Sequence, residues 1–345
     1  MSVPEKLYVE KSVLTHPLTE RILGKLPSTP VITVDDYKSI GSSKSLPQKA
    51  EEDKNSLALA VNKGGMLKSI GRMEEGEYYL FHEMDCKYDC EYCYLQYYFQ
   101  TKVPVIFVNR DRALEEMEDV LIAHPKPYFH VGEVSDALAF DPLTGFSTEA
   151  AALFARYPNG TIEFRTKSTN VEGLTSIPNP PPNVVPSWTL SPERVARAIE
   201  HKTPGLSERL EAARKCQDAG YTVGVRLDPI LVFEGWEVEY KTMIEQIFAV
   251  LNPSMIDYIS LGTPKVHKQL IEVMRKRFPT SPVLLGELFP SPDGKYRYLK
   301  FQRIDVYEKT ASWIRRFNRE VEMKLSLESP EVESMVFGNN PTKRP

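Results

Sequence analysis

Three cysteines fall within the run Cys86-Lys87-Tyr88-Asp89-Cys90-Glu91-Tyr92-Cys93-Tyr94, spaced C-x₃-C-x₂-C. Thiolates this close together suit one compact soft-metal site, and such spacings are the sequence signature of iron–sulfur clusters. The number three is the constraint. A closed structural zinc site takes four ligands, and a cluster that only passes electrons usually takes four cysteines. Three thiolates leave one iron with an open position for a substrate or cofactor. The alternative, from the residues alone, is a zinc module completed by His82, His130 or Cys216.

The rest of the composition narrows the setting. The few cysteines are clustered rather than spread as a disulfide framework, which points to a reducing, cytoplasmic location. No secretory signal and no apolar run long enough to cross a bilayer stand in the sequence, so no membrane partner is expected. The formal net charge is −4, whereas a chain built mainly to hold phosphates would be basic. A DNA substrate would then need a local basic groove.

The 345 residues admit one large α/β domain or two smaller ones. Before the cysteines, Leu7–Glu10 and Val31–Val34 read as extended, Pro17–Leu26 as a helix, and 41–56 as a flexible, Ser-, Lys- and Glu-rich loop. From residue 77, strand-like and amphipathic segments alternate. The expected strands are Glu77–His82, Tyr128–Gly132, Thr161–Thr166, Val184–Leu190, Thr222–Leu227 and Asp257–Leu261. The expected helices are Arg112–Ala123, Thr148–Arg156, Glu193–His201, Glu208–Ala219, Glu237–Leu251 and Lys265–Phe278.

That alternation predicts βαβ units and a parallel sheet. Six strands fit a partial (β/α)6 barrel, whose site lies at the C-terminal strand ends. The cysteine run directly follows the first of the six. The reading divides the chain into an N-terminal extension (1–76), the barrel (77–280), a C-terminal substrate-side segment with a helix over about Asp305–Glu322 (281–327), and a frayed tail (328–345).

With Tyr92 just before the third cysteine, the run resembles the signature of radical S-adenosylmethionine (SAM) enzymes. The resemblance implies a 4Fe–4S cluster on Cys86, Cys90 and Cys93, SAM on the open iron, and a 5′-deoxyadenosyl radical formed on reduction. Tyr92 would then lie near the adenine, and a reductant such as flavodoxin or ferredoxin would be a partner.

A longer resemblance is collinear from about residue 7 to 310. Leu7–Glu10, Cys90-Glu91-Tyr92-Cys93-Tyr94-Leu95-Gln96, Phe164–Lys167, Arg209–Ala213, Ala219–Tyr221, Asp228–Ile230, Glu234–Glu237 and Arg297-Tyr298 together resemble the spore photoproduct lyase family. That family repairs a thymine dimer in DNA, so damaged DNA or a nucleotide is the implied substrate. The resemblance implies substrate contacts from Lys167, Arg297 and Tyr298, and polar SAM or substrate contacts from Ser135, Asp136, Lys167, Thr189 and Ser191. It makes Tyr94 a radical relay, with Tyr97 a further candidate donor.

One departure stands out. Where the family has a hydrogen-donating cysteine, this chain has Glu133 in Val131-Gly132-Glu133-Val134-Ser135-Asp136. A thiol gives a hydrogen atom to a carbon radical; a carboxylate only accepts hydrogen bonds, binds cations or moves protons. Glu133 therefore reads either as a substrate-facing group or as a variant of the Gly-Gly-Glu motif that holds SAM's amino group. The missing thiol also keeps open a divergent radical SAM enzyme with a non-DNA substrate. More ordinary roles compete at several positions. Ser135 and Asp136 also suit a turn or cap. Ser191 before Pro192-Glu193 is expected to cap a helix.

Overall fold

The computed structural model describes residues 3–40, 54–70, 76–99, 101 and 103–338. The expected flexible loop over 41–56 falls mostly outside these residues. Its last residue, Ser56, is a buried strand position instead. The chain forms two compact units. One holds residues 1–89, 95–186 and 219–221; the other holds 90–94, 187–218 and 222–345.

The first unit contains two sheets. β1 (Lys6–Glu10) is followed by helix α1 (Pro17–Lys25), β2 (Val31–Val34), β3 (Ser56–Ala60), β4 (Leu67–Ile70), β5 (Glu77–Leu80) and β6 (Glu83–Met84). Next come α2 (Leu95–Tyr98), β7 (Val105–Phe107), α3 (Asp111–Ala123) and β8 (Tyr128–Val131). The series continues with α4 (Asp141–Thr144), α5 (Phe146–Arg156), β9 (Thr161–Thr166) and α6 (Glu172–Thr175). One sheet runs β2-β1-β3-β7-β6. Its middle is apolar on both faces: every residue of β3 is buried, and Leu7, Val9, Leu57 and Leu59 pack with Ile22 of α1. A strand buried on both sides reads as a continuous apolar run rather than an alternation, as Leu57-Ala58-Leu59-Ala60 does. In the other sheet β5, β8 and β9 are parallel neighbours and β4 is an antiparallel edge.

The strand β10 (Val184–Thr189) carries the boundary between the units after Pro186. In the second unit α7 (Glu193–Ile199) and α8 (Leu206–Asp218) precede β11 (Val223–Leu227), α9 (Trp236–Val250) and β12 (Ile256–Leu261). Then come β13 (Val266–His267), α10 (Lys268–Arg277), β14 (Phe289–Pro290), β15 (Lys295–Arg297), α11 (Lys300–Arg315), β16 (Glu322–Leu325) and α12 (Pro330–Phe337). Ser187–Thr189 of β10, β11, β12 and β16 pair in parallel in that order. β13, β15 and β14 make a small antiparallel sheet.

All six expected strands are present, three in each unit's sheet, within a residue or two of the expected ends. Four expectations are corrected. The helix expected at Lys265–Phe278 starts at Lys268, after β13, and ends at Arg277. The helix from Glu193 ends at Ile199, not His201, and Glu200 leaves it with its side chain buried. The helix expected at Asp305–Glu322 is α11, Lys300–Arg315, and β16 follows it as a further parallel strand. The stretch read as a frayed tail contains α12, capped by the Ser329 hydroxyl, with Val332 and Val336 buried one turn apart. No helix among the described residues is long and apolar enough to cross a membrane.

Candidate active site

The approach to the cysteines is set by charge. Asp85 takes a left-handed backbone conformation (φ 61°), and its Oδ1 accepts the Cys86 N–H at 2.8 Å. Lys54, buried, donates its Nζ to Asp85 Oδ1 at 2.5 Å and to the Cys86 carbonyl at 2.6 Å. The Tyr88 N–H points at Cys86 Sγ from 3.4 Å. In the second unit, Cys93 N–H donates to the Cys90 carbonyl at 3.0 Å, which closes a turn around the two sulfurs. All four cysteines are free thiols, Cys86, Cys90 and Cys216 buried and Cys93 half-buried.

Among the described residues, no three His, Cys, Asp or Glu side chains stand grouped to hold a metal ion. By donor type alone, three cysteines suit a cluster held by three thiolates. None of the three sulfurs is in a disulfide, and a backbone N–H is directed at Cys86 Sγ. The zinc alternative would need His82, His130 or Cys216 as its fourth ligand. Both ring nitrogens of His130 are engaged by carboxylates, Glu163 at 2.8 Å and Glu77 at 3.4 Å. His82 lies stacked on Phe146 with neither ring nitrogen hydrogen-bonded among the described residues, and Cys216 is buried in α8.

Tyr92 is anchored from behind. Its hydroxyl donates to Glu200 Oε1, which also accepts from Ser191 Oγ at 2.8 Å. Arg209 Nη2 reaches Glu200 Oε2 at 2.6 Å, with both side chains fully buried, and Arg209 Nη1 donates to the Thr189 carbonyl at 3.1 Å. Burial, and then the Glu200 charge, holds the Tyr92 phenol well above its usual pKa, so it remains a donor. The Glu91 N–H joins the Ile199 carbonyl at 2.9 Å. Ser191 is therefore not the expected helix cap: α7 has Pro192 at its N-cap with no side-chain cap. The buried carboxylate competes for the hydroxyl. Tyr94 is half-buried just ahead of α2.

The β8 and β9 ends gather the other expected residues of the first unit. Gly132 has φ 98°, and a Cβ there would lie 2.4 Å from the Arg165 carbonyl, so only glycine fits. Glu133 follows. Arg165 Nη1 donates to Glu133 Oε2 at 3.0 Å, and Arg165 Nε donates to the fully buried Glu163 at 2.9 Å. Asp136 accepts from Thr166 Oγ1 at 2.7 Å, from the Lys167 N–H at 2.7 Å and from the Leu138 N–H at 3.2 Å. Burial raises its pKa against these three bonds. It thus ties the two strand ends together and fixes the backbone that carries Lys167. Ser135 beside it is buried.

Arg297 and Tyr298 stand in the second unit, at the end of β15. Arg297 contacts Asp293 and donates Nη1 to the Leu327 carbonyl at 3.0 Å. The Tyr298 hydroxyl accepts the Val232 N–H at 3.0 Å, and burial pushes its pKa up to about 12.

The sequence reading missed Lys54, Asp85 and Glu200. Lys54 and Asp85 lie thirty-one positions apart, and no local pattern links them. Arg209 had a signal, the Arg209–Ala213 block, but no assigned partner.

A family model for spore photoproduct lyase matches residues 2–332. The spore photoproduct lyase of Bacillus subtilis (strain 168) is 26% identical over 332 residues, covering 91% of this chain and 96% of that one. The spore photoproduct lyase of Clostridium acetobutylicum is 25% identical over 322 residues, covering 88% and 90%. Among solved structures, a spore photoproduct lyase complexed with dinucleoside spore photoproduct superposes with a TM-score of 0.84 at 21% identity, covering 94% of this chain and 99% of that one. A doubly substituted spore photoproduct lyase with bound AdoMet and dinucleoside spore photoproduct gives 0.83 at 20% identity with the same coverage. These superpositions establish the fold: the mixed α/β class with parallel strands that the sequence implied.

Proposed function

The chain belongs to the spore photoproduct lyase family, and from that premise we propose that it is a radical SAM enzyme acting on a pyrimidine lesion in DNA or a nucleotide. The observation that carries this reading is the cysteine run, which lies inside a family match that spans residues 2–332. Cys86, Cys90 and Cys93 would hold a 4Fe–4S cluster. Such a cluster, together with SAM and a reductant such as a flavodoxin or ferredoxin, would supply radical chemistry there.

The chain's own residues do the rest. Lys54 and Asp85 fix the backbone at Cys86, and Glu200 with Arg209 fixes Tyr92. Thr189 and Ser191 lie against that same buried pair. Asp136 sets the direction of Lys167, which is assigned to SAM or substrate. Arg297 and Tyr298 are assigned to substrate. Tyr94 and Tyr97 are the candidates for returning a hydrogen atom, since Glu133 has no weak X–H bond to give.

A second reading keeps the radical and changes the substrate. It rests on Glu133, whose carboxylate is held by Arg165 rather than replaced by a donor. A carboxylate suits an ammonium or amide partner, either SAM's amino group or a non-DNA substrate.

The test is repair. Ultraviolet-irradiated DNA, incubated anaerobically with the reconstituted protein, SAM and dithionite, should lose its spore-type thymine dimers and regain thymine. SAM cleavage with every dimer intact would sink the lesion reading and favour the second.

A further inference from the structure

We propose that Lys265, with Arg226 beside it, forms an anion subsite at the C-terminal ends of β11 and β12, and that it takes a phosphodiester of the nucleic-acid strand. The identity of the anion rests on the lesion reading above; the existence of the subsite does not.

Lys265 follows the end of β12, and Asp228 follows the end of β11. Strand ends of this kind line the site in parallel α/β sheets. The Lys265 side chain is only 8% exposed, yet it makes no hydrogen bond among the described residues. Its nearest carboxylate, Asp228 Oδ1, is 3.8 Å from Nζ, and Arg226 Nη2 stands at the same distance from Asp228 Oδ2. An ammonium has three donors, and burying them without acceptors is costly.

The chain shows what a satisfied buried lysine looks like. Lys54 Nζ, 4% exposed, sits 2.5 Å from Asp85 and 2.6 Å from the Cys86 carbonyl. Lys265 has no such acceptors. Burial pulls its pKa below the ordinary lysine range, against the pull of Asp228 and Glu328.

The local charge leaves room for one anion. The groups acting most strongly on Lys265 are Asp228, Glu328, Arg297 and Arg226. Two carboxylates against two guanidiniums and one ammonium leave a single positive charge, and a phosphodiester carries a single negative one. Gly262 makes the approach possible: a Cβ there would lie 2.2 Å from Asp228 Oδ1. Glycine therefore leaves Asp228 space beside the strand end, where it stands 3.8 Å from Lys265 Nζ without a hydrogen bond to it.

The experiment measures binding of full-length protein to single-stranded oligothymidylate across a salt series, with wild type, Lys265→Gln and Lys265→Arg. One lost phosphate contact lowers the slope of log K against log salt by about 0.7 on a single strand. We expect that drop, and a roughly tenfold weaker binding at low salt, for Lys265→Gln. Lys265→Arg should keep the wild-type slope, which excludes misfolding as the cause. An unchanged slope in Lys265→Gln overturns the subsite. So does loss of SAM binding by Lys265→Gln with the DNA slope intact, because the anion would then be SAM's carboxylate. A slope drop in a protein that repairs no lesion upholds the subsite and discards only the lesion reading.

Discussion

On the lesion reading, Glu133 bears on the chemistry that ends the reaction. Its oxygen accepts from Arg165, which is itself backed by the buried Glu163. On the reading that Glu133 stands in place of the family's hydrogen-donating cysteine, radical quenching falls to a tyrosine or to deoxyadenosine. Glu133→Cys restores a weak S–H bond at this strand end. On the lesion reading, it should raise the thymine repaired per SAM cleaved several-fold, measured by chromatography of both products; a lower ratio would contradict it. Glu200 is the second decisive residue, since it gathers Tyr92, Ser191 and Arg209. Removing one partner of a buried ion pair costs about 3–5 kcal/mol. Glu200→Gln should lower the urea unfolding free energy by about that much and reduce the iron retained per chain after reconstitution. His82 gives a pH dependence. Burial, and then Arg110, lowers its pKa to about 3, below the ordinary 6.5, so unfolding takes up a proton between those values. Its contribution is present above about pH 6.5 and is lost as pH falls, at up to about 1.4 kcal/mol per unit. Between pH 7.5 and 5.5, wild type should lose stability more steeply than His82→Phe in urea titrations.

At the scale of elements, Gly132 and α12 give the clearest consequences. Gly132→Ala forces a Cβ against the Arg165 carbonyl at a positive φ. It should displace Glu133 from Arg165 and destabilise the protein by about 1–3 kcal/mol, seen as a lower melting temperature. α12 buries Val332 and Val336, so Val332→Asp should destabilise the second unit, whereas a truly frayed tail would tolerate it. Most of the six main strands were legible as short runs of β-branched, aromatic and apolar residues alternating with charged helices. The helix ends were less so. The N-cap signal at Ser191 was real by residue type, but a carboxylate distant in the local pattern took the hydroxyl. The signal for α12 was present too, in Ser329-Pro330-Glu331 with valines four apart, but a short helix near a polar terminus reads as fraying.

For the molecule as a whole, the cysteine run and the strand–helix alternation carried most of the fold. The supports of the run were not legible. Lys54–Asp85 and Glu200–Arg209 are pairs that only the folded chain brings together, and a lone buried charge in a sequence looks like any surface one. Nor does the sequence mark where two compact units divide, inside the strand Val184–Thr189. The measurement closest to the central claim uses anaerobically reconstituted protein. Iron and sulfide are counted, and 5′-deoxyadenosine is assayed with SAM and dithionite, with and without irradiated DNA, alongside a Cys93→Ala control. The account predicts about four irons per chain and deoxyadenosine that rises with damaged DNA and disappears in Cys93→Ala. A protein that binds zinc in place of iron, or forms no deoxyadenosine, would contradict it.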